Sequence, residues 1–321
     1  MGEISMVERQ FCAQVSREAA DPFIGTAARA DLWLLIEYRG AWARDEILSS
    51  DLPAQVKDWI DHTRTFYTQT RLIKRNKSRS EYITVFVACV LEQRQVIYRF
   101  QLERYEDLLQ LDLEALRDGD SCYEQYCSHE PLFLVCTHGK HDACCAKFGM
   151  PVYNELERLA GDYTWQSSHV GGDKFAANVV CLPQNIYYGR VAVSEVGDLI
   201  ASVMQSQVYL KRYRGRGCYQ PVVQAAECLL RERYGETNLH AFRLLEERPI
   251  SESDWWVRFE STRDGARHCL LVQEQIRENP AYHTTCHAAE GKSTNRTYRL
   301  RYYKRLAPTP AVRALVSPCL R

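Results

Sequence analysis

Residues 131–161 read PLFLVCTHGKHDACCAKFGMPVYNELERLAG. PLFLVCTHG (131–139) is an apolar run of strand length ending in a Gly-bearing turn, and CAKFGMPVYNELERLAG (145–161) has helical spacing. A buried strand that turns directly into a helix opens a β-α-β unit. TWQSSHVGG (164–172) supplies the next strand and turn, and NVVCLPQNIYYGRVAV (178–193) reads as a hairpin turning at Pro183-Gln184-Asn185. EVGDLIASVMQSQ (195–207) closes the unit as a helix.

Working outward, the same order appears upstream. DLWLLIEYRG (31–40) is a buried strand, LPAQVKDWIDHTRTFY (52–67) a helix and TRLIKRN (70–76) a strand. YITVFVACV (82–90) and RQVIYRFQL (94–102) form a hairpin, and YEDLLQLDLEALRDG (105–119) a helix. The order β-α-β-β-β-α thus occurs twice, which predicts an α/β protein with a thioredoxin-like mixed sheet in two pseudo-duplicated halves. The expected divisions are an N-terminal half without metal ligands (1–120), a second half carrying the chemistry (121–235) and a C-terminal β-rich extension (236–321). In the first half Glu37 and Arg39 fall near where the second half places Cys136 and His138. A helix at QPVVQAAECLLRERYG (220–235) precedes the extension, whose strands are FRLLEER, DWWVRFES, ARHCLLVQEQI and TYRLRYYKR.

Composition excludes several classes. Lys plus Arg and Asp plus Glu both number 41, so no bulk positive charge gathers phosphates, although Arg212–Arg216 is locally basic. Nucleic acid is therefore not an expected partner. The longest apolar runs are strand-sized, far short of a membrane span, and the N-terminal stretch lacks a signal-peptide core. A cytoplasmic protein with reduced thiols is expected, and among its 13 cysteines Cys89, Cys181 and Cys228 read as small buried hydrophobes.

Two turns carry the chemistry. Cys136 ends a strand, and Cys144 and Cys145 begin a helix just after the capping residue Asp142, with Lys147 nearby. A helix N-terminus beside a cation lowers a thiol pKa. The second turn brings His169 and Asp173, four apart, around Gly171 and Gly172, whose lack of a side chain lets backbone pass close to a bound group. Two thiolates and an imidazole select zinc or an iron–sulfur centre over magnesium or calcium. The same spacing also fits a hydrogen-bonded core histidine and a capping carboxylate.

GTAARADLWLLIEYRGAWARDEIL (25–48), PLFLVCTHGKHDACCAKFGMPV (131–152), WQSSHVGGDKFAANVVCLPQNIYYGRV (165–191) and YRGRGCYQPVVQAAE (213–227) together resemble the sucrase/ferredoxin-like family. The resemblance implies a thioredoxin-like ferredoxin domain with a 2Fe–2S cluster held by two cysteines and two histidines. Cys136 and Cys145 match the cysteines and His169 the first histidine, with Cys144 the alternative of the CC pair. At the second histidine this chain has Asp173. A carboxylate there is a harder, anionic donor that lowers the potential and loosens the iron. Three outcomes follow: Asp173 ligates; His138, His141 or Cys144 replaces it; or the centre is lost.

The resulting expectation is a one-electron carrier of the ferredoxin kind that meets a redox partner, a reductase or acceptor, at a small interface flanked by Lys140, Lys147 and Lys174. The rivals are a structural zinc site and a cluster-free thioredoxin-like scaffold or binding module. Sucrase activity is not expected, because no spacing singles out a catalytic carboxylate pair. Gly291-Lys292-Ser293 lacks the first Gly of a phosphate loop and reads as an ordinary loop. Trp255 and Trp256 read as one ring inside and one on a sheet surface.

Overall fold

The computed structural model describes residues 11–63, 67–76, 80–279, 285–286 and 293–308, of which 278, 279, 293 and 294 are described by their backbone alone. After helix α1 (Cys12–Glu18), the first half runs β1 (Leu32–Glu37), α2 (Ala54–His62), β2 (Thr68–Lys74), β3 (Ile83–Leu91), β4 (Arg94–Leu102) and α3 (Leu113–Asp118). A short β5 (Cys127–Ser128) leads to the second half: β6 (Leu132–Cys136), α4 (Ala143–Ala160), β7 (Thr164–Ser167), β8 (Val179–Leu182), β9 (Ile186–Tyr188) and α5 (Val196–Met204). β10 (Tyr213–Arg216) and α6 (Pro221–Tyr234) follow, then β11 (Phe242–Pro249), β12 (Asp254–Ser261), β13 (Arg267–Asn279) and β14 (Ser293–Leu306).

The expected mixed α/β layer is present. Both halves lie in one 10-stranded sheet ordered β10-β9-β8-β6-β7-β2-β1-β3-β4-β5. In each half the first strand pairs parallel to the second and antiparallel to the third: β1 with β2 and β3, β6 with β7 and β8. The halves meet where β2 pairs antiparallel with β7, Ile73 opposite Ser167 and Lys74 opposite Gln166. Such a seam relates them by an approximate twofold axis and leaves no break in the sheet between residues 120 and 121.

Alternation along the strands sorts the core. Leu32, Leu34 and Ile36 face α2 and α3, against Val56, Ile60 and Leu116. Phe133 and Val135 face α4 and α5, against Val152, Leu156 and Leu199. Trp33 and Leu35 of β1 and Leu132, Leu134 and Cys136 of β6 share a core common to both halves. The strand period thus places Cys136 on the shared face. Cys89, Cys181 and Cys228 are buried apolar residues as read from the sequence.

Two expectations need correction. YEDLLQLDLEALRDG is not one helix but a 3-10 turn over Tyr105–Gln110 followed by α3, because the Asp112 carboxylate accepts from the Glu114 and Ala115 N–H groups and starts a new helix. The helix expected over 52–67 is closed by Thr63 at the C-cap of α2, and residues 64–66 lie outside the described ones. The C-terminal strands form a separate antiparallel sheet, β11-β12-β13-β14, packed on α6 through Val222, Ala226, Val257 and Leu270. Trp255 joins that core, whereas Trp256 stacks on Tyr302. Of Gly291-Lys292-Ser293, the first two lie outside the described residues and Ser293 begins β14.

Candidate metal centre

Three local devices bring the two turns together. The Asp142 side chain caps α4 by accepting from the Cys144 N–H at 2.8 Å, which starts the helix directly after β6. Gly149 allows α4 to lie against the strand end: a Cβ there would sit 2.1 Å from the Cys136 carbonyl oxygen. Gly171 and Gly172 take left-handed φ values of 93° and 82°, which reverse the chain between His169 and Asp173. The turn is held from behind by buried Arg214, which donates to the Gly171 carbonyl (3.2 Å) and to Asn178 Oδ1 (2.8 Å), while Asn178 donates to the Gly172 carbonyl. A side chain at Gly172 would strike the Arg214 guanidinium, so this glycine makes room for a protein group and not for a bound one.

The ligand atoms of Cys136, Cys145 and His169 lie within 4.8 Å of one another, and those of His141, His169 and Asp173 do the same. His169 is the shared member. Asp173 Oδ1 is 3.3 Å from Cys145 Sγ and 3.1 Å from His169 Nδ1. Despite that short approach, His169 Nδ1 is buried without an aligned hydrogen bond. Cys145 shares its proton with its neighbours, but the unpaired His169 nitrogen and the crowded sulfur and carboxylate atoms leave lone pairs that could be given to a common acceptor. The set is soft at one end and harder at the other, which suits zinc or an iron–sulfur cluster and does not suit magnesium or calcium. Both sulfurs are buried, whereas His169 and His141 keep 21% and 32% of their side chains exposed.

The electrostatics follow from this crowding. The Cys136 thiol is pushed well below its usual pKa by a hydrogen bond from Cys145, assisted by His169 and opposed by burial. Cys145 moves up for the complementary reason, so the pair shares one proton more readily than it carries two. Burial raises the Asp173 carboxyl to about 6, with His169 acting against it. His169 itself is raised, because Cys136 and Asp173 outweigh its burial. His141 is lowered by burial and by the neighbouring His169 and His138.

The other candidates separate. His141 stacks on His169 at 3.7 Å with an interplanar angle of 13°. Imidazole lone pairs lie in the ring plane, so two parallel rings aim side by side and do not converge on one metal. His138 is buried and turned away, its Nε2 2.7 Å from the Ala43 carbonyl oxygen. Cys144 does not join Cys145: neighbours on a helix project about 100° apart, and its sulfur contacts Cys12 and Cys286 instead. Of the flanking lysines, Lys140 is exposed, Lys147 lies over the Phe11 ring, and Lys174 pairs with Asp21. Unforeseen in the sequence was the wall supplied by the first half. Arg44, Asp45, Glu46 and Arg71 line a recess of about 450 Å³ beside His141 and His169, and Ser168 donates to Glu46 at 3.0 Å. No local spacing signals these contacts, because they cross between the halves.

A family model described as sucrase/ferredoxin-like matches residues 23–215. Among curated proteins the chain is similar to three called altered inheritance of mitochondria protein 32. That of Meyerozyma guilliermondii is 26% identical over 149 residues, covering 41% of this chain and 50% of the relative. Those of Debaryomyces hansenii and Candida glabrata are 28% and 23% identical over 95 and 111 residues, covering 26% and 30% of this chain and 35% and 36% of the relative. The chain thus spans half or less of the length of these relatives. No solved structure matches it. Among the described residues, no helix is long and apolar enough to cross a membrane.

Proposed function

The chain belongs to the sucrase/ferredoxin-like family, and from that premise we propose that it is an iron–sulfur protein whose 2Fe–2S cluster is held by Cys136, Cys145, His169 and Asp173. The observation that carries this reading is the convergence of the Cys136, Cys145 and His169 ligand atoms within 4.8 Å, with both sulfurs buried. When bound, such a cluster supplies a reversible one-electron couple. Cys136 and Cys145 hold the inner side. His169 and Asp173 hold the outer side, fixed by the turn that Arg214 and Asn178 brace. Asp173 is preferred to His141 because its oxygen approaches both Cys145 and His169, whereas the His141 ring lies parallel to His169.

Function then follows from exposure. The imidazole edge opens into the recess bounded by Arg44, Asp45, Glu46 and Arg71, which is where a redox partner protein reaches the centre. Arg44 and Arg71 set against Asp45 and Glu46 give that rim both charges, suited to a transient, oriented encounter. In this reading the protein is an electron carrier and transforms no substrate on its own.

The test is iron, acid-labile sulfide and zinc per chain in anaerobically purified protein. About two irons with equal sulfide are expected, lost in Cys136→Ser and in Cys145→Ser and retained in His141→Ala. Asp173→His is expected to keep the iron and raise the reduction potential, since a neutral imidazole replaces an anionic oxygen. Folded protein without iron, its Cys136 and Cys145 freely alkylated, would sink the cluster reading. Zinc bound by Cys136 and Cys145 in place of iron would make the centre structural.

A further inference from the structure

The second member of the CC pair has its own company. Cys144 Sγ lies 3.6 Å from Cys12 Sγ and 3.2 Å from Cys286 Sγ, and Cys286 Sγ lies 3.6 Å from Cys12 Sγ. The three sulfurs form a closed triangle drawn from three remote segments: the first residue of α1, the first turn of α4 and the connection between β13 and β14. Cys12 and Cys144 are buried, and Cys286 is half-buried.

Three packed thiols need no explanation as small hydrophobes, but the fourth group does. Asp142 is 0% exposed, and a ligand oxygen of its carboxylate lies with the three sulfurs inside one 4.8 Å group. Its Oδ1 accepts from the Cys144 N–H and its Oδ2 from the Cys286 N–H at 2.6 Å. One carboxylate therefore fixes the backbone of two of the three cysteines while standing beside their sulfurs. The Ala13 N–H points at Cys144 Sγ from 3.5 Å, the arrangement that favours a thiolate acceptor. Phe11 and Phe148, meeting edge to face at 6.1 Å, pack beside this cluster. Two backbone N–H bonds offset part of the cost of burying that carboxylate among sulfurs, and a cation bound beside them would offset more.

We propose that Cys12, Cys144 and Cys286, with Asp142 as fourth ligand or as the group that positions them, form a second metal site that takes zinc. Zinc–sulfur bonds of about 2.3 Å in a tetrahedron set sulfurs about 3.8 Å apart, close to the 3.2–3.6 Å found before any ion draws them into place. Thiolates favour zinc over magnesium or calcium, and with Asp142 as the fourth ligand the tetrahedron is closed, as in a structural site. Its effect is to pin α1 and Cys286 to the N-terminus of α4, the helix that also carries Cys145. The site shares no ligand with the proposed cluster, so either stands without the other.

The test uses the full-length protein and counts zinc and iron together. About one zinc per chain is expected in the wild type, retained in Cys136→Ser and Cys145→Ser and lost in Cys12→Ser and Cys286→Ser. Iron content should show the reverse dependence. Because Cys12 is buried and its variant risks misfolding, the wild type is also titrated with an organomercurial while released zinc is followed. Zinc release that tracks Cys286 modification supports the site. Absence of zinc, zinc that survives Cys286→Ser, or a disulfide among the three cysteines in freshly purified metal-free protein would each overturn it.

Discussion

In the half built on β1, the strand ends at Glu37 and the chain wanders through residues 38–53 before α2 begins. In the half built on β6, the strand ends at Cys136 and the turn 137–142 leads straight into α4. Both strand-ending residues are buried, and each is a group that burial should penalise. Glu37 is satisfied within the protein, by Arg39 at 3.3 Å and by the Thr84 N–H at 3.0 Å. Cys136 is met by a second thiol and an imidazole, which in turn meet the Asp173 carboxylate, and His169 Nδ1 is left without a hydrogen bond. The two ends differ in connection length: the short turn starts a helix at Asp142 that carries Cys145 to Cys136, whereas Glu37 closes an ion pair with Arg39 on the long loop. The long loop acts at a distance: Ala43 receives His138, Glu46 receives Ser168, and Trp42 packs edge-on against His138.

The largest effect is expected where the short connection is tightest. Gly149→Ala places a methyl against the Cys136 carbonyl, and backbone on both sides must move. A cost of about 1–3 kcal/mol is expected from overpacking, with iron content falling as α4 retreats from β6. Denaturant unfolding and metal analysis on one sample check both. Unchanged stability and full iron would mean that the helix tolerates displacement, and connection length would lose its explanatory weight.

Next comes the ion pair of the other half. Glu37→Gln keeps the shape but trades a charged acceptor for a neutral one beside Arg39, which is half exposed. A loss of about 1–2 kcal/mol is expected, with iron and sulfide unchanged. Iron loss in this variant would show that the two strand ends are coupled across the seam between β2 and β7, and the division of labour would fail.

How much of this was legible depends on range. The parity that puts Leu132, Leu134 and Cys136 on one face follows from a strand period of two, and the Asp142 cap follows from its place before a helical run. The repeated element order was readable for the same reason, since each element is encoded locally. The break at Asp112 was also present in the chain, but apolar spacing continues through it and hides a cap inside a run. Contacts between remote segments carried no such signal. Glu46 and Ser168 are 122 residues apart, Cys144 and Cys286 142, and no window of sequence holds both partners. The likeness of the halves could be read before their seam, because pairing of β2 with β7 is a property of the assembled sheet.

The smallest effect tests the long loop as a wall. Glu46→Ala removes one acceptor from Ser168, whose hydroxyl also receives the Leu72 N–H, so the turn keeps a second tether. Glu46 is only partly buried, and the stability change should stay below about 1 kcal/mol. Iron content is expected to be normal on isolation, because no proposed ligand is touched. The difference should appear in time: with the recess beside His169 opened, iron should leave to a chelator faster than in the wild type. Equal release rates would mean that the loop 38–53 merely rests on the site, and that the half without ligands contributes its framework and nothing to the protection of the centre.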